Sequence, residues 1–268
     1  MRIAIAGAGL AGLAAAAAFT RRGHDVTVYE QADSLRASGL AVNIWSNATS
    51  LLPALGVPAD RVPLPADACV NVVRPGFFSG IFRLPAGRVT RFAEQPGRAL
   101  GTCDEFLTEL AADADPVLRA VARATAPGQW TEWSAADMWP PAVQYRGNIV
   151  LAGDAAHAAL PTIGQGACQS LEDGVALAAA VAEVGDLDQA LRRYEQARVR
   201  RVRLITTLAR TSALARRPGA VSRMLSATAT ARVFALTGGP VLRRLARPDA
   251  ALAGQVSRLS ADASGTAR

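Results

Sequence analysis

The sequence predicts an α/β protein: two strand–loop–helix units, a proline-rich middle of extended character between them, and a helical C-terminal region. Three observations predict it. Arg2–Glu30 (RIAIAGAGLAGLAAAAAFTRRGHDVTVYE) reads as strand, glycine-rich turn, helix and second strand. Gly147–Ala182 repeats the strand, the loop and the helix, again with glycines at the helix entrance. Between them, from Val62 to Ala99, helical periodicity lapses, and from Leu187 onward it is almost continuous.

The first unit carries the sharpest local signal. Ile3–Ala6 is the strand, and Gly7-Ala8-Gly9-Leu10-Ala11-Gly12 is a complete G-x-G-x-x-G turn. Gly7 permits the tight turn, Gly9 lets the backbone approach a pyrophosphate, and Gly12 lets the helix pack closely on the strand. Phosphates would sit at the helix N-terminus, where unpaired N–H groups and the helix dipole favour negative charge. Asp25–Tyr29 is the second strand, and Glu30 at its end is placed to accept hydrogen bonds from an adenosine ribose. The same residues have a plainer reading: a charged start followed by an uncharged run to Thr20 resembles a signal peptide or a short membrane span. Neither has any need of three glycines on the nucleotide fingerprint, nor of the strand and acid that follow.

Further along, Ser38–Ile44 reads as a short extended piece, and Asn47–Leu55 as a helix closed by Gly56. In the proline-rich middle, Ile81–Leu84 and Arg88–Phe92 flank Pro85-Ala86-Gly87, which predicts a hairpin. Helical spacing resumes at Asp104–Ala112, with Asp104 as the expected N-cap, and again at Val117–Ala124. Asn148–Ala152 is an apolar strand that runs into Gly153-Asp154-Ala155-Ala156-His157 and Pro161-Thr162-Ile163-Gly164-Gln165-Gly166-Ala167-Cys168. The helix beyond carries Leu171, Val175, Ala178 and Val181 on one face, and its N-terminus is a second place for partial negative charge. Leu187–Leu208 reads as one long helix interrupted at Arg217-Pro218-Gly219, and Val221–Leu236 as another. The small polar residues Ser257–Arg268 predict a disordered tail.

Composition bounds the function. At 268 residues the chain can bury a substantial core, and with 5% aromatic residues that core must be largely aliphatic. Cys69, Cys103 and Cys168 are scattered, there is no C-x-x-C pair, and only two histidines are present. Neither a metal site nor a disulfide framework is supported, so a reducing, cytoplasmic setting is the default. The net charge of +7 comes from arginine alone, since there is no lysine. Arg198, Arg200, Arg201, Arg203, Arg210, Arg216 and Arg217 concentrate it. Without a recognition motif or interleaved aromatics, these are expected to form a solvated helix face, or to attract an anionic ligand, rather than to bind nucleic acid.

With both glycine-rich units in view, the chain resembles the FAD-dependent aromatic-ring hydroxylases, the group A flavoprotein monooxygenases with the p-hydroxybenzoate hydroxylase fold. The likeness rests on Met1–Arg61 and on GDAAHAALPTIGQGACQSLEDG, which is nearly the family's G-D motif. The resemblance implies a Rossmann-like FAD-binding domain of the GR2 type, with a reduced antiparallel β substrate region and C-terminal helices. Its divisions would be 1–61 (first FAD-binding part), 62–145 (shortened middle), 146–186 (G-D motif and helix) and 187–268 (C-terminal helices and tail).

It also implies roles. Gly7, Gly9, Ala11 and Gly12 would cradle the FAD pyrophosphate, Glu30 the adenosine ribose, and Gly153 and Asp154 the ribityl chain. Gly164, Gln165, Gly166 and Ala167 would present backbone N–H groups and a helix dipole to the N1–C2=O edge of the flavin, which becomes anionic on reduction. Pro161 would line the flavin face where oxygen reacts. His157 would act as an acid or base or, the favoured reading, fix the loop by a hydrogen bond. The family's D-G motif, which touches FAD and NAD(P)H, is matched only by Pro65–Arg74: Asp67 and Arg74 fit, while Ala68 and Asn71 replace its glycine and serine.

Family members also carry long segments between the counterparts of Arg61 and Asp67 and between those of Arg74 and Phe77. By this resemblance the hairpin Ile81–Phe92 looks like the surviving remnant of the substrate sheet. The activity implied is an FAD-dependent monooxygenase: NAD(P)H reduces the flavin, oxygen adds at C4a as a hydroperoxide, and an aromatic or polyketide-like small molecule is hydroxylated or epoxidised. The alternatives are a non-oxygenating relative serving as an auxiliary or non-redox protein, and a flavin-dependent dehydrogenase. No nucleic-acid or membrane partner is implied, and the oligomeric state is open, a homodimer included.

Overall fold

The computed structural model describes residues 1–35, 42, 44–57, 69–74, 77–83, 89–94, 102–126, 128–130, 132–216, 245 and 247. β1 (Arg2–Ala6) and β2 (Asp25–Tyr29) pair in parallel, with Ile3 opposite Val26 and Ile5 opposite Val28. The crossover between them is α1 (Leu10–Thr20). Its run of alanines, the strongest helix formers, makes the helix favourable and keeps it thin. Gly23, at φ 75°, then lets the chain turn sharply into β2.

The thinness matters because α1 lies against α6 (Gly166–Glu183) at very close range. A Cβ on Gly174 would stand 2.5 Å from the backbone nitrogen of Ala15, so only glycine fits at that crossing. Ala15, Ala18 and Phe19 of α1 share a core with Leu51, Val175, Ala178, Leu191 and Tyr194, and Ile3, Ile5 and Val26 of the sheet pack against it. Leu191 and Tyr194 belong to α7 (Leu187–Arg216), which continues past Leu208, where the apolar spacing had suggested an end. The expected break at 217–219, the helix 221–236 and the tail 257–268 lie outside the described residues.

The middle of the chain forms a second core. β3 (Cys69–Arg74), β4 (Phe77–Arg83) and β5 (Val89–Glu94) make an antiparallel sheet in the order β3-β4-β5. The expected hairpin is β4–β5, with Arg83 opposite Val89. β3, the latter part of the D-G-like stretch, adds a strand that the sequence reading did not assign. Phe77 and Ile81 pack with Phe106, Leu110, Leu118 and Ala122 of α3 (Cys103–Ala111) and α4 (Pro116–Ala124).

Helix boundaries differ from expectation where polar side chains cap them. Thr102, not Asp104, is the N-cap of α3: its hydroxyl accepts from Glu105 N (3.2 Å), and the Glu105 carboxylate accepts from Thr102 N (2.7 Å). This reciprocal box satisfies two orphan donors, which a cap at Asp104 would not do. α4 starts on Asp115, whose carboxylate accepts from Val117 N and Leu118 N. The helix expected over Asn47–Leu55 is instead α2 (Ser46–Thr49) followed by a 3-10 turn (Leu52–Leu55). Pro53 has no N–H to continue an α-helical ladder. Gly56 closes the turn at φ 80°, as expected.

The apolar strand expected over Asn148–Ala152 is shorter: β7 (Ile149–Val150) pairs antiparallel with β6 (Tyr145–Arg146) around Gly147 at φ 57°. After Val150 the chain bends towards Gly153 and enters the one-turn α5 (Asp154–His157).

Candidate cofactor site

The first loop is open where a ligand would need it open. Gly7 sits at φ 101°, and a Cβ on either Gly7 or Gly9 would meet nothing within 4 Å. Gly12 is the opposite case: its Cβ would fall 2.0 Å from Gly7 O, so the helix can start there only without a side chain. Gly7 N donates to Tyr29 O (2.7 Å), tying the loop to the end of β2. No side chain caps α1, and its first turn contains no acid, which leaves the dipole of an alanine-rich helix uncompensated at this end. Glu30 is exposed, and its carboxylate accepts from Ala8 N (2.7 Å) and from Ala32 N (3.0 Å). The amide bonds, led by Ala8, hold its acidity above that of an ordinary glutamate.

The second loop lies directly on the first. Gly153 adopts φ 60° and ψ −142° as the N-cap of α5, and a Cβ there would stand 2.7 Å from the Ala11 Cβ. The two glycine-rich units, far apart in sequence, thus meet at Ala11 and Gly153. Asp154 is exposed at the start of α5. Pro161 is exposed at the start of a 3-10 turn (Pro161–Ile163) that ends on Gly164 at φ 62°. Gly166 opens α6, with nothing within 4 Å of its Cβ direction; α6 has no side-chain cap and no acid in its first turn. Ala167 is half-buried beside it. Gln165 is fully buried. Its Oε1 accepts from Asn47 Nδ2 and Gln169 Nε2, both at 3.2 Å, while its Nε2 has no partner among the described residues. Open cradles, uncapped helix ends and this orphaned donor fit an anionic, hydrogen-bonding cofactor laid across both loops. Asp67 lies outside the described residues.

Beneath the loops runs a buried ionic network that the sequence did not announce. His157 is 4% exposed, and its Nε2 stands 2.6 Å from Asp173 Oδ2. The same Asp173 oxygen accepts from Gly153 N (2.7 Å), and its partner oxygen accepts from Arg198 Nε (2.7 Å). Glu172 accepts from Arg198 Nη1 (2.5 Å), from Arg201 Nε and Nη2 (2.7 and 2.8 Å) and from Asn47 Nδ2 (2.7 Å). Burial alone would raise the Asp173 pKa; the Arg198 charge, the His157 contact and the Gly153 N–H outweigh it and hold that pKa at about 2. Burial likewise opposes ionisation of Glu172, and the two guanidinium groups keep its pKa below normal. Arg198 is 1% exposed, and Arg201 is largely covered. The expectation of a solvated arginine face fails for these two. They face inward because α6 places two adjacent acids, Glu172 and Asp173, in its buried stretch, and a buried carboxylate needs a cation.

Similarity to known proteins follows the same geometry. A family model described as an FAD binding domain matches residues 89–209, and one described as an NAD(P)-binding Rossmann-like domain matches residues 5–43. Together with the fold they define the class: a Rossmann-like FAD-binding protein. An FAD-dependent urate hydroxylase of Klebsiella pneumoniae is 34% identical over 162 residues, 58% of this chain and 41% of that one. A 3-hydroxybenzoate 6-hydroxylase of Klebsiella oxytoca is 45% identical over 78 residues, 28% of this chain and 19% of that one. The structure of Klebsiella pneumoniae HpxO complexed with FAD and uric acid superposes with a TM-score of 0.75 at 19% identity, covering 92% of this chain and 96% of that one. Over these parts of its length the chain is similar to FAD-dependent hydroxylases, and its fold is theirs. It matches less than half the length of the urate hydroxylase. No helix among the described residues is long and apolar enough to cross a membrane.

Proposed function

We propose that this chain binds FAD across its two loops and works as an NAD(P)H-dependent monooxygenase on an aromatic small molecule. The observation that carries the reading is the contact of Gly153 with Ala11, which joins the two glycine-rich motifs into one cradle. Gly7, Gly9, Ala11 and Gly12 then hold the pyrophosphate at the α1 N-terminus. Glu30, already bonded to Ala8 N yet exposed, is within the loop's reach for the adenosine ribose. Gly153 and Asp154 hold the ribityl chain. Gly164 to Ala167 direct the α6 N-terminus at the flavin edge, where a helix dipole favours the anionic reduced form. Pro161 borders the flavin face. His157, buried against Asp173, anchors the loop. The bound flavin supplies the redox and oxygen-activating chemistry. The protein's part is to position it and to keep water away from it. The relatives' names, urate and 3-hydroxybenzoate hydroxylases, support an aromatic substrate, and a cytoplasmic setting accords with the cysteine usage.

The test is direct. The purified chain should be yellow or take up added FAD, and it should oxidise NADPH or NADH with oxygen uptake that rises on adding urate or 3-hydroxybenzoate as probes. A colourless protein that ignores FAD would end the reading. Flavin binding without stimulated oxygen uptake by any phenolic probe would favour the non-oxygenating alternatives.

A further inference from the structure

Two arginines on α7 reach two parts of the second glycine-rich unit, α5 and the turn before α6, through two adjacent acids on α6. We infer that Arg198, with Arg201 beside it, is a positioning residue that sets the placement of α5 relative to the flavin-edge turn at Gly164–Ala167. This inference rests on the FAD reading. The path has two branches. In one, Arg198 Nε donates to Asp173, which in turn receives Gly153 N and contacts His157 Nε2, fixing both ends of α5 and with them Asp154. In the other, Arg198 Nη1 and the Arg201 fork donate to Glu172, which receives Asn47 Nδ2. Asn47 Nδ2 also lies 3.2 Å from Gln165 Oε1, and Gln169 Nε2 approaches both Gln165 and Glu172. That branch ends on the residue just before α6, at the flavin-edge loop.

Arg198 also donates through Nη2 to the Gln169 backbone carbonyl (3.2 Å) and to its side-chain oxygen (2.7 Å). One guanidinium therefore satisfies both acids and Gln169 in the first turns of α6, a task that needs a planar fork rather than a point charge. Arg201 continues outward to the backbone oxygen of Leu245 (2.9 Å), linking the C-terminal segment to the same system. Neither arginine touches the loops themselves, so their effect on a bound flavin is relayed.

The experiment compares Arg198→Lys with Leu191→Ala. Leu191 is buried on the same helix but belongs to the aliphatic core and not to the network. Both variants should melt earlier. At a low temperature where circular dichroism shows both folded, Arg198→Lys should bind FAD at least tenfold more weakly and quench its fluorescence less, while Leu191→Ala should bind it as the wild type does. Wild-type FAD affinity in Arg198→Lys, or an equal loss in Leu191→Ala, would overturn the inference. If the wild type binds no FAD at all, the flavin reading falls by itself. The positioning claim is then decided by hydrogen exchange: protection of the Gly153 amide must drop in Arg198→Lys and hold in Leu191→Ala.

Discussion

Gly153 shows how much a single backbone position can be asked to do. Its φ of 60° with ψ of −142° is a conformation that side chains rarely adopt, and Ala11 occupies the space a Cβ would take. Gly153→Ala should cost about 1–3 kcal/mol from strain at such a position. That should lower the melting temperature by several degrees and weaken FAD uptake, as read by thermal denaturation with and without added FAD. An unchanged melting temperature would mean the loop does not rest on α1. Asp173 makes a second prediction. Its pKa is depressed from an ordinary 3.8 to about 2 in the fold. The stabilisation is therefore complete above the unfolded value and disappears as pH falls through the folded one, between about pH 4 and pH 2. Linkage makes it worth about 2 kcal/mol. Acid melts of wild type and Asp173→Asn should converge across that window, the variant being the less stable at neutral pH and the less sensitive to acid. Parallel curves would show that Asp173 is not the group titrating. The glycines of the cradle were legible in the sequence because glycine itself is the signal. Asp173 and Arg198 were not: 25 residues separate them, and a cation that pairs inward looks, in one dimension, like any other on a helix rich in arginine.

At the scale of elements, periodicity recovered α1, α6 and α7, and alternation around a Pro-Ala-Gly turn recovered β4–β5. What it missed has identifiable causes. β3 lies in a stretch whose proline content masked its strand character, Pro53 breaks a helix that spacing alone would continue, and Thr102 outcompetes Asp104 because only it can form the reciprocal box with Glu105. Helix crossing angles and distances are also silent in sequence, and the close approach of α1 to Gly174 was not read from it. That crossing supports a prediction. Gly174→Ala puts a methyl within 2.5 Å of the Ala15 nitrogen and 2.6 Å of the Ala14 carbonyl carbon. Here the obstacle is backbone, which cannot swing aside, so the helices must separate. Overpacking of this kind costs about 1–3 kcal/mol, despite the gain in intrinsic helix propensity that the same substitution brings at an exposed site. Urea unfolding of the purified variant checks the sign: stabilisation would show that the α1–α6 crossing leaves room for a methyl at Gly174.

Among the described residues, one aliphatic core lies around α1, α6 and α7 and a separate one between the three-stranded sheet and α3–α4; no described buried residue belongs to both. The loops of the cradle are built on the first. The middle of the chain is built on the second, and in the proposed function it is the part that covers the flavin and receives substrate. Leu118 is fully buried at the centre of that smaller core. Leu118→Ala should cost about 2–5 kcal/mol locally, the usual range for a large-to-small change in a packed interior. If the two cores are energetically independent, the loss stays in the sheet and its two helices. FAD affinity should then remain within a factor of two of wild type, while protease cleavage within residues 102–126 accelerates. Coupling should fail in the same variant: NADPH oxidation continues, hydroxylated product per NADPH falls, and hydrogen peroxide rises, because a loosened cover admits water to the flavin. A parallel loss of FAD binding would show instead that the two cores fold as a single unit, and that the small sheet is part of what holds the cradle in shape.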